Sequence, residues 1–252
     1  MRIPLVKERP GWWLDASCLA VLVVLTTALA RGAGWLLDLD VAVRDAVDAH
    51  RPDWADWVFG QVFNRLGGGT PLMVLCLLAG VWRLWRARAG SGAAPGNGTP
   101  TAGAALLGRL WPLLITVAGY LLTGLSIKPL KVWSHRLPPH DPANDPAFFA
   151  APHPGFSGGP ANESFPSGHA VNVFVWYTIL VILLAPWLTA RWRLVLRVVP
   201  VVVVTFTTIY LGFHWVTDTA AGLLIGVLLS RLISWVDWEA LGSRRREPAT
   251  AA

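Results

Sequence analysis

The chain has 252 residues, of which 54% are hydrophobic and 14% charged, and it carries a formal charge of +6. With a mean hydropathy of +0.49, this composition lies outside the soluble range; the basic residues stand between long apolar runs, which argues against a nucleic-acid surface with interleaved aromatics. Cys18 and Cys76 both fall inside apolar runs, so neither a disulfide framework nor a cysteine-ligated metal site is expected.

Arg2, Lys7 and Arg9 precede an apolar stretch in the manner of a secretion signal. That stretch runs from about residue 12 to about residue 37, is broken only by Asp15 and Arg31, and has no small-residue cleavage site early enough. A first transmembrane helix is therefore predicted. With this one, six such runs lie along the chain, at about 14–36, 68–86, 108–128, 168–188, 194–213 and 215–236. A bilayer core takes about 20 helical residues, and a backbone in lipid must satisfy its own hydrogen bonds, so each run is read as a helix. Trp12, Trp13, Trp35, Trp85, Trp111, Trp187, Trp215, Trp235 and Trp238 lie near the proposed ends, where amphipathic rings prefer the headgroup zone. The predicted fold class is all-α, a six-transmembrane-helix bundle forming a single integral membrane domain.

Between the first two runs, the stretch 38–63 sets Asp38, Asp40, Asp45, Asp48, Asp53 and Asp56 among valines and tryptophans, and reads as amphipathic helix at the outer surface. The Gly, Ala, Pro, Ser, Thr and Asn of about 91–103 read as a flexible cytoplasmic linker, 137–166 as a second irregular segment on the outside, and 240–252 as a basic cytoplasmic tail. If the helices alternate, 14 of the 21 Lys and Arg residues fall on the side of the termini and 7 on the other. The positive-inside rule then places both termini in the cytoplasm.

Three stretches on the outer side of that topology gather ionisable groups. Phe165-Pro166-Ser167-Gly168-His169 opens the fourth run; glycine beside a serine at a helix mouth leaves backbone N–H groups free to face an anion, with His169 as a proton donor. The plainer alternative is an ordinary helix start with an interfacial histidine. Around the fifth and sixth runs, His214 and Asp218 are four residues apart, which on a helix lets the carboxylate hold one ring nitrogen and leave the other for attack. A structural His-Asp pair stitching two helices is the alternative. At the end of the third run, Lys128, Lys131, His135 and Arg136 can clamp phosphate oxygens or, taken alone, snorkel to anionic headgroups. His50, His140 and His153 are read as solvated, Asn64 to Thr70 as a turn into the second helix, and Asn172 as either facing the site or bonding between helices.

Together these stretches resemble the type 2 phosphatidic acid phosphatase superfamily, which is related to the vanadium haloperoxidases. That family carries Lys-x6-Arg-Pro, Pro-Ser-Gly-His and Ser-Arg-x5-His-x3-Asp in this order. Pro166 to His169 match the second motif residue for residue, and His214 and Asp218 match the third. The resemblance covers about residues 38–236, and with a catalytic core at about 108–236 it implies that His214 attacks phosphorus to form a phosphohistidine, Asp218 orients it, and His169 protonates the leaving group. Ser167 and the Gly168 N–H would hold phosphate oxygens, and Arg136 with Lys131 or Lys128 would neutralise charge. It implies a lipid phosphate or polyprenyl diphosphate as substrate, the bilayer as setting, no metal, no cofactor and no nucleic acid, and a multi-pass protein of a bacterial plasma membrane with its site outside.

Two motifs depart from the pattern. Thr207 and Thr208 stand where the family has Ser-Arg, and Arg136 is preceded by lysines five and eight positions earlier rather than seven. A missing charge-assisted contact to an oxyanion costs about a hundredfold in rate. Two alternatives therefore stand beside hydrolysis: a lipid phosphotransferase like the inositol phosphorylceramide synthases, which also lack that arginine, and a catalytically degenerate lipid-phosphate binder.

Overall fold

The computed structural model describes residues 11–89, 102–141, 143, 145–150 and 163–240. The expected linker up to residue 101, the basic tail beyond 240 and His153 lie outside the described residues. In chain order the helices are α1 (Trp12–Ala30), α2 (Gly34–Asp48), α3 (Asp53–Val58), α4 (Gly69–Ala89), α5 (Ala102–Ser134), α6 (Gly168–Leu184), α7 (Ala190–Tyr210) and α8 (Val216–Trp235). One π turn and one 3-10 turn, Phe59–Phe63 and Asn64–Gly67, join α3 to α4. Among the described residues there is no strand, only an isolated bridge between Arg136 and Glu163.

Six of these helices, all but α2 and α3, are long and apolar enough to cross a bilayer. Their ends differ from the expected ones where glycine or proline acts. The first run was expected to reach about residue 36, but Gly32 adopts a φ of 69°, which ends α1 and lets the chain restart as α2. Gly212, with a φ of 67°, likewise ends the fifth helix at Tyr210 rather than near 213, so His214 sits in a turn. The third helix is longer than expected and continues to Ser134 through Pro112 and Pro129, as prolines are tolerated where a bundle supports the backbone.

α6 is the central element. It is apolar on every face and accordingly buried on nearly every face, with α4, α5, α7 and α8 around it. Its closest neighbour is α8. A Cβ on Gly222 would lie 2.5 Å from the carbonyl oxygen of Ser167, and one on Gly226 would lie 2.8 Å from the Phe174 ring. These two glycines, four apart on one face, let the two helices meet backbone to side chain. α1 packs against α8, while Val24, Leu78, Leu125 and Val202 turn outward, each more than three-fifths exposed, as a lipid-facing rim requires. Of the acidic α2 segment, Asp45 and Asp48 face outward as expected, but Asp40 is buried, because that face of α2 closes on the start of α8.

Candidate active site

One end of the bundle brings together the end of α5, the start of α6, the turn between α7 and α8, and the start of α8. The Ser167 N–H donates to the Asp218 carbonyl (3.0 Å), which ties the Pro-Ser-Gly-His turn to the first turn of α8. Ser167 itself is fully buried and caps α6, its hydroxyl accepting from the Ala170 N–H. The first-turn amides of Gly168 and His169 have no acceptor within the helix and form the mouth of α6. A cis peptide bond joins Phe165 to Pro166.

The imidazoles of His169 and His214 lie 5.9 Å apart, centroid to centroid, at an interplanar angle of 61°. Behind His214, the Asp218 Oδ2 lies 3.9 Å from Nδ1, within ion-pair reach and longer than a hydrogen bond. Asp218 has no exposed surface; its Oδ2 also accepts from the Ser164 hydroxyl and from the Trp215 N–H (3.0 Å). Thr208 anchors the turn from the other side, its carbonyl accepting from the Phe213 and His214 N–H groups. Burial pushes the His214 imidazole below its ordinary pKa; the Asp218 carboxylate opposes this and the Lys131 charge adds to it.

Arg136 was expected at the phosphate. Its guanidinium instead has no exposed surface and is directed at protein groups: Nη1 to Asp218 Oδ1 (2.5 Å) and Thr217 Oγ1 (2.7 Å), Nη2 to Asp40 Oδ2 (2.6 Å), and Nε to the Pro146 carbonyl (2.8 Å). The Phe148 and Trp215 rings lie beside it, at 5.4 and 5.7 Å. The physical reason is charge: two buried carboxylates need a cation, and Arg136 is the one between them. Burial pushes the Asp40 carboxyl above its usual range, opposed first by Arg136 and then by Thr217.

Of the two lysines, the structure brings Lys131 to the histidines. It lies within electrostatic reach of His169, His214 and Asp218, and its ammonium donates to the Glu163 carbonyl. Lys128 is mostly exposed and pairs with the Glu163 carboxylate at 2.6 Å. His135 is exposed, and the Thr208 hydroxyl donates to the Thr205 carbonyl (3.2 Å). Asn172 bonds between elements, donating to the Gly67 carbonyl (3.3 Å) and accepting from Trp176 (3.2 Å). Gly67 abuts His169, since a Cβ there would lie 3.0 Å from the ring's Cδ2. Sequence reasoning missed Asp40, Ser164, Thr217 and Gly67. Nothing local marks the first three; Gly67 stood within the stretch read as a turn. Among the described residues, no group of three or more His, Cys, Asp or Glu side chains is arranged to hold a metal ion.

A bundle of six bilayer-length helices with a buried, charged cluster at one end defines an integral, multi-pass membrane protein. The model of the PAP2 superfamily matches residues 110–241, just over half of the chain, and the chain belongs to that superfamily. The matched stretch contains Lys131, Arg136, His169, His214 and Asp218, and leaves Asp40 outside. Phosphatidylglycerophosphatase B of Bacillus subtilis is 29% identical over 226 residues, covering 88% of this chain and 93% of that protein. An undecaprenyl-diphosphatase of Sulfolobus acidocaldarius is 34% identical over 73 residues, 29% of this chain; the match spans only a third, 33%, of that relative. The crystal structure of a transmembrane PAP2 type phosphatidylglycerolphosphate phosphatase from Bacillus subtilis superposes with a TM-score of 0.61 at 24% identity, covering 88% of this chain and 94% of that one, which shows a shared fold.

Proposed function

We propose that this protein is a lipid phosphatase that hydrolyses a membrane lipid phosphate or diphosphate through a phosphohistidine, at the non-cytoplasmic face. The observation that carries this reading is the pair of imidazoles 5.9 Å apart with a buried carboxylate behind one of them. Because Nδ1 of His214 faces Asp218, Nε2 is the attacking atom. As the Nε2–P bond forms, the bond from phosphorus to the leaving oxygen breaks, and His169 delivers its proton to that oxygen. Neutral His169 then takes a proton from water, whose oxygen attacks phosphorus, releases inorganic phosphate and regenerates both rings. Lys131 and the first-turn amides of α6 hold the non-bridging oxygens.

The names of the relatives, a phosphatidylglycerophosphatase and undecaprenyl-diphosphatases, support a lipid substrate. So does a cavity of about 330 Å³ between α4, α5 and α6, lined by Met73, Tyr120, Leu121, Leu125 and Trp176 and reaching Asn172, which can take a hydrocarbon chain. The distribution of Lys and Arg supports cytoplasmic termini and an outward site. The scheme needs no metal. Purified protein in chelator should release phosphate from long-chain phosphates or diphosphates, and an alkali-stable, acid-labile phosphoprotein should form in wild type and not in His214→Ala. No release from any such lipid, or equal release by His214→Ala, overturns the reading.

One observation favours a second reading. With Arg136 turned to carboxylates and a threonine at 208, Lys131 faces the substrate with less cationic support than a dianionic phosphate calls for. A phosphodiester suits that balance, and a lipid alcohol rather than water would then accept the phosphoryl group. Radiolabel appearing in a new lipid only when an acceptor is supplied distinguishes the two.

A further inference from the structure

We propose that Asp40 is a positioning residue of this site: by sharing the Arg136 guanidinium with Asp218, it sets how strongly Asp218 orients and polarises His214. The proposal rests on the reading of His214 as nucleophile.

Its basis is a carboxylate, guanidinium, carboxylate chain whose side chains have no exposed surface at any of the three positions. Asp40 comes from α2, Arg136 from the segment after α5, and Asp218 from α8. Thr217, immediately before Asp218, links the same groups a second time. Its hydroxyl donates to Asp40 Oδ2 (2.6 Å) and accepts from Arg136 Nη1, while its N–H donates to Asp40 Oδ1 (3.0 Å). Asp40 therefore holds both the cation and the first helical turn from which Asp218 projects. Anchoring an outer helix does not require this. The exposed pairs Arg44–Asp45 and Arg51–Asp56 stay near water, whereas burying a carboxylate is costly unless it is fully paired.

The electrostatic consequence follows from two anions dividing one cation. Without the Asp40 charge, Arg136 would act undivided on Asp218, and Asp218 would have less negative character to offer the Nδ1 side of His214. The other charged groups facing His214 are Lys131 from α5 and His169 from α6, with Arg44 of α2 lining the same crevice. Asp40 itself is faced by Arg136 and Asp218, so its influence travels through them.

The test uses the full chain in detergent and needs no substrate: the pH midpoint of His214 modification by diethylpyrocarbonate, read by peptide mass spectrometry, with exposed His50 as internal reference. In Asp40→Asn the His214 midpoint should fall by about half a pH unit or more and that of His50 should stay. With a lipid phosphate as substrate, kcat should fall about ten- to a hundredfold with KM within about threefold, and Asp40→Glu should recover part of the loss. A folded Asp40→Asn with an unmoved His214 midpoint overturns the proposal. If Asp40→Asn does not fold, Thr217→Val decides: it keeps the Asp40 charge but removes the hydroxyl that shares it. Its midpoint should move up, and no movement overturns the proposal. A variant midpoint that shifts while the wild type hydrolyses no lipid would sink the phosphatase reading and leave the coupling of Asp40 to His214 standing; wild-type turnover with unshifted variant midpoints does the reverse.

Discussion

The two ends of the helix bundle use arginine in opposite ways. Away from the site, Arg83 donates to the carbonyls of Ile182 (3.3 Å) and Leu183 (2.8 Å), Arg193 to those of Ala185 (2.6 Å) and Leu188 (3.1 Å), and Arg231 to that of Gly11 (3.0 Å). Their carboxylate partners are peripheral: Glu239 is mostly exposed, and Asp15 sits near the start of α1. Arg83 and Arg193 thereby take up carbonyls in the last turn of α6 and the turn after it, and Arg231 ties the start of α1 to α8. At the site end, Arg136 donates to two carboxylates out of contact with water. The same residue type thus completes main chain at one end and balances charge at the other, and only the second arrangement is sensitive to the loss of a single partner.

Removing Arg136 should give the largest effect. Arg136→Ala leaves two buried carboxylates without their cation, a loss of about 3–5 kcal/mol, to be read as a collapse of the folded fraction in mild-detergent denaturation. Asp218→Asn comes next: the ring loses its charged partner and kcat per folded molecule should fall about a thousandfold, while stability falls less than in Arg136→Ala because Asp40 still balances the guanidinium. Arg83→Ala, at the opposite end, should cost about 1–2 kcal/mol and leave activity per folded molecule unchanged; a large activity loss there would erase the contrast between the ends.

The smallest expected effect concerns pH. At the site end, burial lowers the His214 pKa. The unfolded chain then binds a proton at this histidine more readily than the folded one. Its contribution to stability is whole above about pH 6.5 and declines as pH falls below that value. For the same reason the acid limb of kcat/KM should lie below about pH 6.5. A limb above it would show that Asp218 outweighs burial.

What could be read from the sequence was local. Run length and apolar content set the six helices, and Pro166 to His169 and the His214-Asp218 spacing are contiguous patterns whose geometry a single turn determines. Helix ends were less accessible, although Gly32 and Gly212 did mark them, because a positive φ is a property of the folded turn rather than of composition. The partners of Arg136 were beyond local reading altogether. They lie 96 and 82 residues away, and nothing in the pattern of α2 separates Asp40 from Asp38, Asp45 or Asp48. Lys128 and Lys131 are equally cationic in the sequence; the rotation of α5 selects Lys131.

The two glycines of α8 carry a consequence for how the molecule comes apart. With no side chain between Gly222 and the Ser167 carbonyl, and only hydrogen between Gly226 and the Phe174 ring, α6 and α8 are held at close approach next to the two imidazoles. Harsher detergents that strip the outer helices first should therefore reach the histidine spacing last, and residual turnover should outlive the loss of α1 from its place against α8.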